Sequence, residues 1–383
     1  MSPAEQLFQD LQESRLFKAL LKLSRTSWVV TDDDTLPLLK EYLGKTARLF
    51  TLCQLSEFLE STRSNTNSTG ISLIKRRLVP EQVIVASATQ ENLLYQQVCQ
   101  QITNYDCKVY RLFNDVFINL TTNTGELLTY SRQPDSCVLE KIHKYAIISI
   151  PRSGSTMLAD ILFQTGYCGQ PKEHLRNSIV LLATVADSFD FQKWLGSMLV
   201  NTCTANNVFG TKVISHFAHS LSNDLKPSDI KFLQQFKHTK LIYLSREDKA
   251  DQAVSTYIAR QSNLFFTPTL IHKSKRLKFI KTLDYDFDAL YECYQKIIDA
   301  ENATAQFIQS LGLSVLEVGY ENLVNNQTQT IERILSFLNI ETSEHLVISK
   351  PRTKPVRDRH CQPFREQFAA DLARIEANNW KDT

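Results

Sequence analysis

Residues 145–166 run YAIISIPRSGSTMLADILFQTG. Tyr145 to Ile150 form an apolar run of strand length. Pro151 to Thr156 supply a proline, a glycine and three hydroxyls, the chemistry of a tight turn. From Met157 the apolar residues recur at helical spacing until Gly166, a natural helix stop. Strand, tight turn and helix in immediate succession predict one half of a parallel α/β unit. Working outward, the same rhythm continues downstream. Lys240 to Ser245 (KLIYLS) reads as a second strand, and REDKADQAVSTYIARQ as the helix after it. SVLEVGYENL gives a third strand with a turn, and TQTIERILSFLNI a helix.

The first third has a rhythm of its own. LFKALLKL has helical spacing, RLFTL (48–52) reads as a short strand and QLSEFLE as a helix. VIVASA from Val83 is a strand candidate, TQENLLYQQVCQQI an amphipathic helix, and CKVYRLF a further strand. This predicts a small parallel-sheet unit with no phosphate loop, because none of Gly44, Gly70 and Gly125 sits at a strand-to-helix turn. Ser61 to Gly70 is polar and unperiodic, a loop. The expected division lies near residue 140, with an N-terminal α/β domain over 1–140 and a second domain over 141–383.

Composition limits the function classes. The chain has 383 residues, 43 Lys and Arg against 41 Asp and Glu, and a net charge of +2. A protein that coats nucleic acid by bulk charge is far more basic, so no nucleic-acid partner is expected and any bound anion needs a local site. The start MSPAEQLFQDLQESRLFKALLKL lacks the layout of a signal peptide, and no apolar window reaches membrane-spanning length. The eight cysteines are scattered, with no zinc spacing. Together these predict free thiols, no metal, no integral membrane segment and a cytoplasmic location.

The turn at Pro151 to Thr156 carries the chemistry. At a strand-to-helix junction the first helical N–H groups point outward at the positive end of the helix dipole, a ready anion site. Gly154 permits close backbone approach, Ser153, Ser155 and Thr156 add hydroxyl donors, and Arg152 adds a cationic fork. The bland alternative is a helix capped by its own serine or threonine. A Walker A loop needs a Lys before its last hydroxyl, and no such stretch exists, so a nucleotide with a 5′-phosphate but no γ-phosphate fits better. Glu173, in GQPKEH, lies 21 residues beyond Arg152, a distance that one helix and a return can close; its alternative is a solvated loop acid. Arg246 ends the second strand, at the edge where α/β proteins place ligands, with Ser255 nine residues on. Its alternative is a surface ion pair with Glu247 or Asp248.

YAIISIPRSGSTMLADILFQTGYCGQPKEHL, with FGTKVISH, KLIYLSREDKADQAVS and VLEVGYENLV, resembles the bacterial trehalose 2-sulfotransferase family over about residues 143–383. The resemblance implies a P-loop-like, three-layer α/β/α sulfotransferase domain with a parallel sheet. It also implies the donor 3′-phosphoadenosine-5′-phosphosulfate (PAPS) and an acceptor hydroxyl on a carbohydrate, glycolipid or small molecule. By the same resemblance Arg152, Ser153, Gly154, Ser155 and Thr156 hold the 5′-phosphosulfate. Arg246 and Ser255 hold the 3′-phosphate, Glu173 is the general base, and Lys212 lies near the site. Family members can form homodimers. The chain departs from the family at Gln170, where an acid is common, and at Ser215 and His216, where a Trp-Asn pair is usual. Both departures lie where an acceptor could sit, which argues against trehalose itself.

The basic run from Lys350 to Arg365 offers Arg352, Lys354 and Arg357 as further 3′-phosphate ligands, against the plain reading of a solvated face. Gln170, His174 and His216 are candidates to line the acceptor pocket. Tyr167 and Trp194 are either an acceptor platform or core. Two other functions compete with sulfuryl transfer, a nucleotide-dependent phosphotransferase and a non-catalytic nucleotide-binding or interaction protein.

Overall fold

The computed structural model describes residues 27–37, 39, 51–54, 81–103, 106–122, 135–174, 187–214, 239–262, 270–342, 348 and 361–379. The chain divides into two compact units. One comprises Met1–Lys141 with Leu175–Thr202, the other Ile142–His174 with Cys203–Thr383. The strands are β1 (Ser27–Thr31), β2 (Thr51–Gln54), β3 (Gln82–Ala86), β4 (Lys108–Arg111), β5 (His143–Ser149), β6 (Val208–Ile214), β7 (Lys240–Ser245) and β8 (Val315–Gly319). The helices are α1 (Glu91–Gln101), α2 (Phe117–Thr122), α3 (Ser136–Glu140), α4 (Ser155–Gln164), α5 (Phe191–Thr202), α6 (Lys249–Ser262), α7 (Leu270–Ile280), α8 (Phe287–Leu311), α9 (Tyr320–Asn325), α10 (Gln327–Leu338) and α11 (Gln362–Asn379).

In the first unit, four parallel strands lie in the order β2-β1-β3-β4. The central strand β1, SWVVT, was absent from the sequence reading. It is only five residues long and runs into Asp32–Asp34, so it carries little periodic signal. The helix LFKALLKL and most of QLSEFLE lie outside the described residues. Leu94 and Val98 of α1 pack on Val83, Val85 and Val109, the alternate positions that share one sheet face. Trp194 of α5 is fully buried, and its indole N–H donates to Thr121 Oγ1 at 2.8 Å. Of the two readings of Trp194, core is the one found.

Buried polar groups close the carboxyl ends of these strands. Glu91 is fully buried at the start of α1. Its carboxyl accepts from the N–H groups of Phe113 (2.8 Å) and Asn114 (3.1 Å) and from Asn114 Nδ2 (2.9 Å). Burial pushes Glu91 up to about 8, against the pull of those three donors and of Arg111. Beside it, half-buried Arg111 pairs with buried Asp115 at 2.8 Å.

In the second unit, four parallel strands lie in the order β6-β5-β7-β8. From β5 the chain goes to β6 on one side, then back past β5 to β7 and onward to β8. Right-handed crossovers in opposite directions place their helices on opposite faces. The cores agree. Met157, Leu158, Ile161 and Leu162 of α4 pack with Tyr145, Ile147, Ile242 and Leu244 of the sheet and with Ile331, Ile334 and Leu335 of α10. A second cluster joins Val254, Tyr257 and Ile258 of α6 to Leu290, Cys293 and Ile297 of α8 and to Phe364 and Phe368 of α11. The long helix α8 has clear punctuation. Asp286 caps its first turn by accepting from Ala289 N at 3.0 Å, and Gly312 ends it at φ +60.

Both parallel sheets and the helices between them bear out the α/β expectation. Cys99, Cys107, Cys137, Cys168, Cys203, Cys293 and Cys361 are free thiols. No helix of the described residues is long and apolar enough to cross a membrane.

Candidate active site

The loop Ile150 to Gly154 leaves β5 at the point where the chain turns one way from β5 and the other way from β7. That crevice is where open α/β sheets bind ligands. Gly154 is the N-cap of α4 at φ +90, and no side chain hydrogen-bonds there. The capping position is thus held by a glycine and not by one of the loop's serines or its threonine. A Cβ on Gly154 would stand 2.4 Å from the Tyr320 ring, so only glycine fits. Arg152 also takes a left-handed conformation, φ +66, which a non-glycine residue adopts only under constraint. Ser153 Oγ is buried with no hydrogen-bond partner among the described residues. An orphaned buried donor beside an uncapped helix start suits an anion's oxygens.

Arg152 Nε donates to Ser255 Oγ at 3.0 Å. The Arg152 carbonyl accepts from Arg246 Nη1 at 3.2 Å, and the Pro151 carbonyl from Gln252 Nε2 at 2.8 Å. The predicted donor residues thus meet, and Gln252, unnoticed in the sequence, helps hold the loop. Desolvation and the neighbouring charges of Arg276 and Arg246 push Arg152 down to about 10. Arg276, on α7, is buried and was also missed. It sits in a basic run (KSKRLK) whose other cations give no hint of which one turns inward.

Arg246 does not pair with Glu247 or Asp248. Asp248 caps α6 by accepting from Asp251 N at 2.8 Å. The partner is Asp251, in the first turn of α6, whose carboxylate accepts from Arg246 Nη2. The Arg246 guanidinium lies over the Tyr320 ring, 4.9 Å from its centroid.

Glu173 reaches the loop through a short strand-like return. Gly169, at φ +66, turns the chain against the backbone of Val208. Lys172 then bridges Thr211 of β6 in parallel, and Lys212 N donates to the Lys172 carbonyl at 2.8 Å. That register puts Glu173 beside Lys212. Lys212 Nζ lies 2.8 Å from Glu173 Oε1 and 3.1 Å from Thr156 Oγ1. The carboxylate is about a quarter exposed, with 28% of its side chain accessible, so it is open to an incoming group.

Gln170 is half-buried. His174 is buried; its Nε2 lies 2.9 Å from the Gln170 carbonyl, and its ring packs against Phe209. It closes the Gly169–His174 turn. Tyr167 is half-buried against the core of α4 and α10. His216, Arg352, Lys354 and Arg357 lie outside the described residues. No group of three or more His, Cys, Asp or Glu suited to a metal occurs among the described residues.

Among solved structures, the chain is similar to the "Sulfotransferase Domain from the Curacin Biosynthetic Pathway". That match has 16% identity and a TM-score of 0.34, over 58% of this chain and 82% of that one. It is also similar to the "Sulfotransferase Domain from the Synechococcus PCC 7002 Olefin Synthase". There the identity is 15% and the TM-score 0.31, over 61% of this chain and 86% of that one. No curated protein matches the chain. The family model described as Stf0 sulphotransferase matches residues 144–371, which span the loop, Glu173, Lys212, Arg246 and Ser255. The chain therefore belongs to the Stf0 sulphotransferase family.

Proposed function

We propose that this protein transfers a sulfuryl group from PAPS to the hydroxyl of a carbohydrate, glycolipid or small molecule, with Glu173 as the general base. One observation carries the reading. A single ammonium, Lys212 Nζ, is hydrogen-bonded both to the loop hydroxyl Thr156 and to Glu173. It joins the anion loop and the base in one contiguous set.

When bound, PAPS supplies an SO₃ group on a phosphate oxygen. Sulfuryl transfer resembles phosphoryl transfer in needing positioning and charge stabilisation more than covalent help. The α4 N–H groups, Ser153 and Arg152 bind the 5′ end, and Lys212 brings positive charge to the oxygen on which negative charge grows. Glu173 takes the acceptor's proton as the new S–O bond forms, a role that contributes about 10²–10⁴-fold. Arg246 and Ser255 bind the 3′-phosphate, with Arg352, Lys354 and Arg357 as further ligands. Gln170, His174 and His216 border the acceptor.

The first test is a melting curve. Adenosine 3′,5′-bisphosphate at about 100 times its Kd should raise stability by about 2.7 kcal/mol, a shift of several degrees, and ATP should do less. No shift with the bisphosphate would remove the donor assignment. The acceptor is found by incubating the protein with labelled PAPS and a metabolite extract, then identifying by mass spectrometry what gains sulfate.

A further inference from the structure

The Asp251 carboxylate serves two arginines. One oxygen hydrogen-bonds Arg246 Nη2, and the other pairs with Arg365 Nε. Arg365 stands on α11, far along the chain from the loop. It is held there by its neighbours Phe364 and Phe368, which are buried against α6 and α8. All three charged side chains are largely shielded from water, at 10% exposure for Arg246 and Asp251 and 18% for Arg365. Among the described residues these two guanidiniums share one carboxylate, which leaves a net positive charge where an unbalanced charge is costly. Arg246 Nε is in addition buried with no hydrogen-bond partner among the described residues. A surplus cation and an unused buried donor together call for an anion with several acceptor oxygens.

We infer that Arg365 is a further nucleotide-binding residue. With Arg246 it forms a two-armed clamp on the 3′-phosphate, and Asp251 fixes the spacing of the arms. The inference rests on the PAPS reading and adds to it a residue on the C-terminal helix, beyond the loop and the β7–α6 turn. The chemistry is bidentate guanidinium–phosphate recognition, to which each arm contributes charge-assisted hydrogen bonds. A 3′-hydroxyl without its phosphate cannot use both arms.

The test is calorimetric binding of adenosine 3′,5′-bisphosphate and of adenosine 5′-phosphate to the full chain, for the wild type and Arg365→Ala. The wild type should prefer the bisphosphate. Arg365→Ala should weaken the bisphosphate about tenfold or more and the monophosphate by less than about threefold. If Arg365→Ala does not fold, Arg365→Lys keeps the charge and loses the fork. It should still bind the bisphosphate several-fold more weakly than the wild type, with the monophosphate unchanged. Equal weakening of both nucleotides, or no weakening of either, overturns the clamp while leaving the PAPS reading intact. A wild type without preference for the bisphosphate sinks the PAPS reading and the clamp together.

Discussion

Lys212 Nζ holds one oxygen of the Glu173 carboxylate, so in the proposed mechanism the acceptor proton goes to the other. Glu173→Gln keeps the shape and the loop contacts and removes the proton acceptor. It should lower kcat about 10²–10⁴-fold with nucleotide affinity nearly unchanged, as read by single-turnover kinetics and calorimetry. Lys212→Ala should also act on kcat more than on KM, because its charge matters most as the leaving oxygen becomes anionic. Full turnover in Glu173→Gln would take the residue out of the base role. The pair was only half legible in the chain. Glu173 stood out by its distance from Arg152, whereas Lys212 stood out only as part of an FG-x-K run. Their meeting depends on the Lys172–Thr211 bridge, a backbone contact between segments far apart in sequence.

The elements that carry the site follow their local patterns closely. β5, α4, β7, α6, β8 and α10 fall where apolar runs and helical spacing put them, because each buries a continuous apolar face in the core. β1 does not announce itself. At its length the neighbours decide, and it becomes central by pairing with both β2 and β3. The start of α1 carries a pH prediction. Folding raises Glu91 from the usual carboxylate range to about 8. Between about pH 4.5 and 8 the folded chain holds a proton that the unfolded chain has released. The stabilisation is therefore complete at the acid end of this window and is lost as pH rises through about 8. Hydrogen exchange of amides in β3, α1 and β4 should quicken from pH 5.5 to 8 beyond the intrinsic rate, and Glu91→Gln should flatten that dependence. The same dependence in Glu91→Gln would refute the assignment.

Across the molecule, the chain enters the second unit at Ile142, returns to the first at Leu175 and leaves it again after Thr202. The returning segment is bound into the first unit. Trp194 bonds Thr121, Asp190 N donates to Asn114 Oδ1 at 2.8 Å, and Asn114 Nδ2 donates to the Ser188 carbonyl at 2.5 Å. A chain beginning at Ile142 would leave the apolar side of α5 without partners. It should bind a hydrophobic dye and aggregate. The same chain with residues 175–202 replaced by a short Gly/Ser link should stay free of aggregates and bind the bisphosphate. An aggregate-free, dye-silent 142–383 fragment with α5 intact would contradict this partition.

Local physics was enough to read the strand-turn-helix at Tyr145, the Pro151–Thr156 turn within it and the parallel α/β class, since all three follow from residues adjacent in the chain. Tertiary packing had to choose among the rest. It selected Asp251 over Glu247 and Asp248 as the partner of Arg246, turned Arg276 inward among a run of lysines, made Trp194 core, and brought Arg365 from the last helix to the same carboxylate. Charge pairing and side-chain burial depend on which distant segments share a low-dielectric space, and no spacing along one chain encodes that.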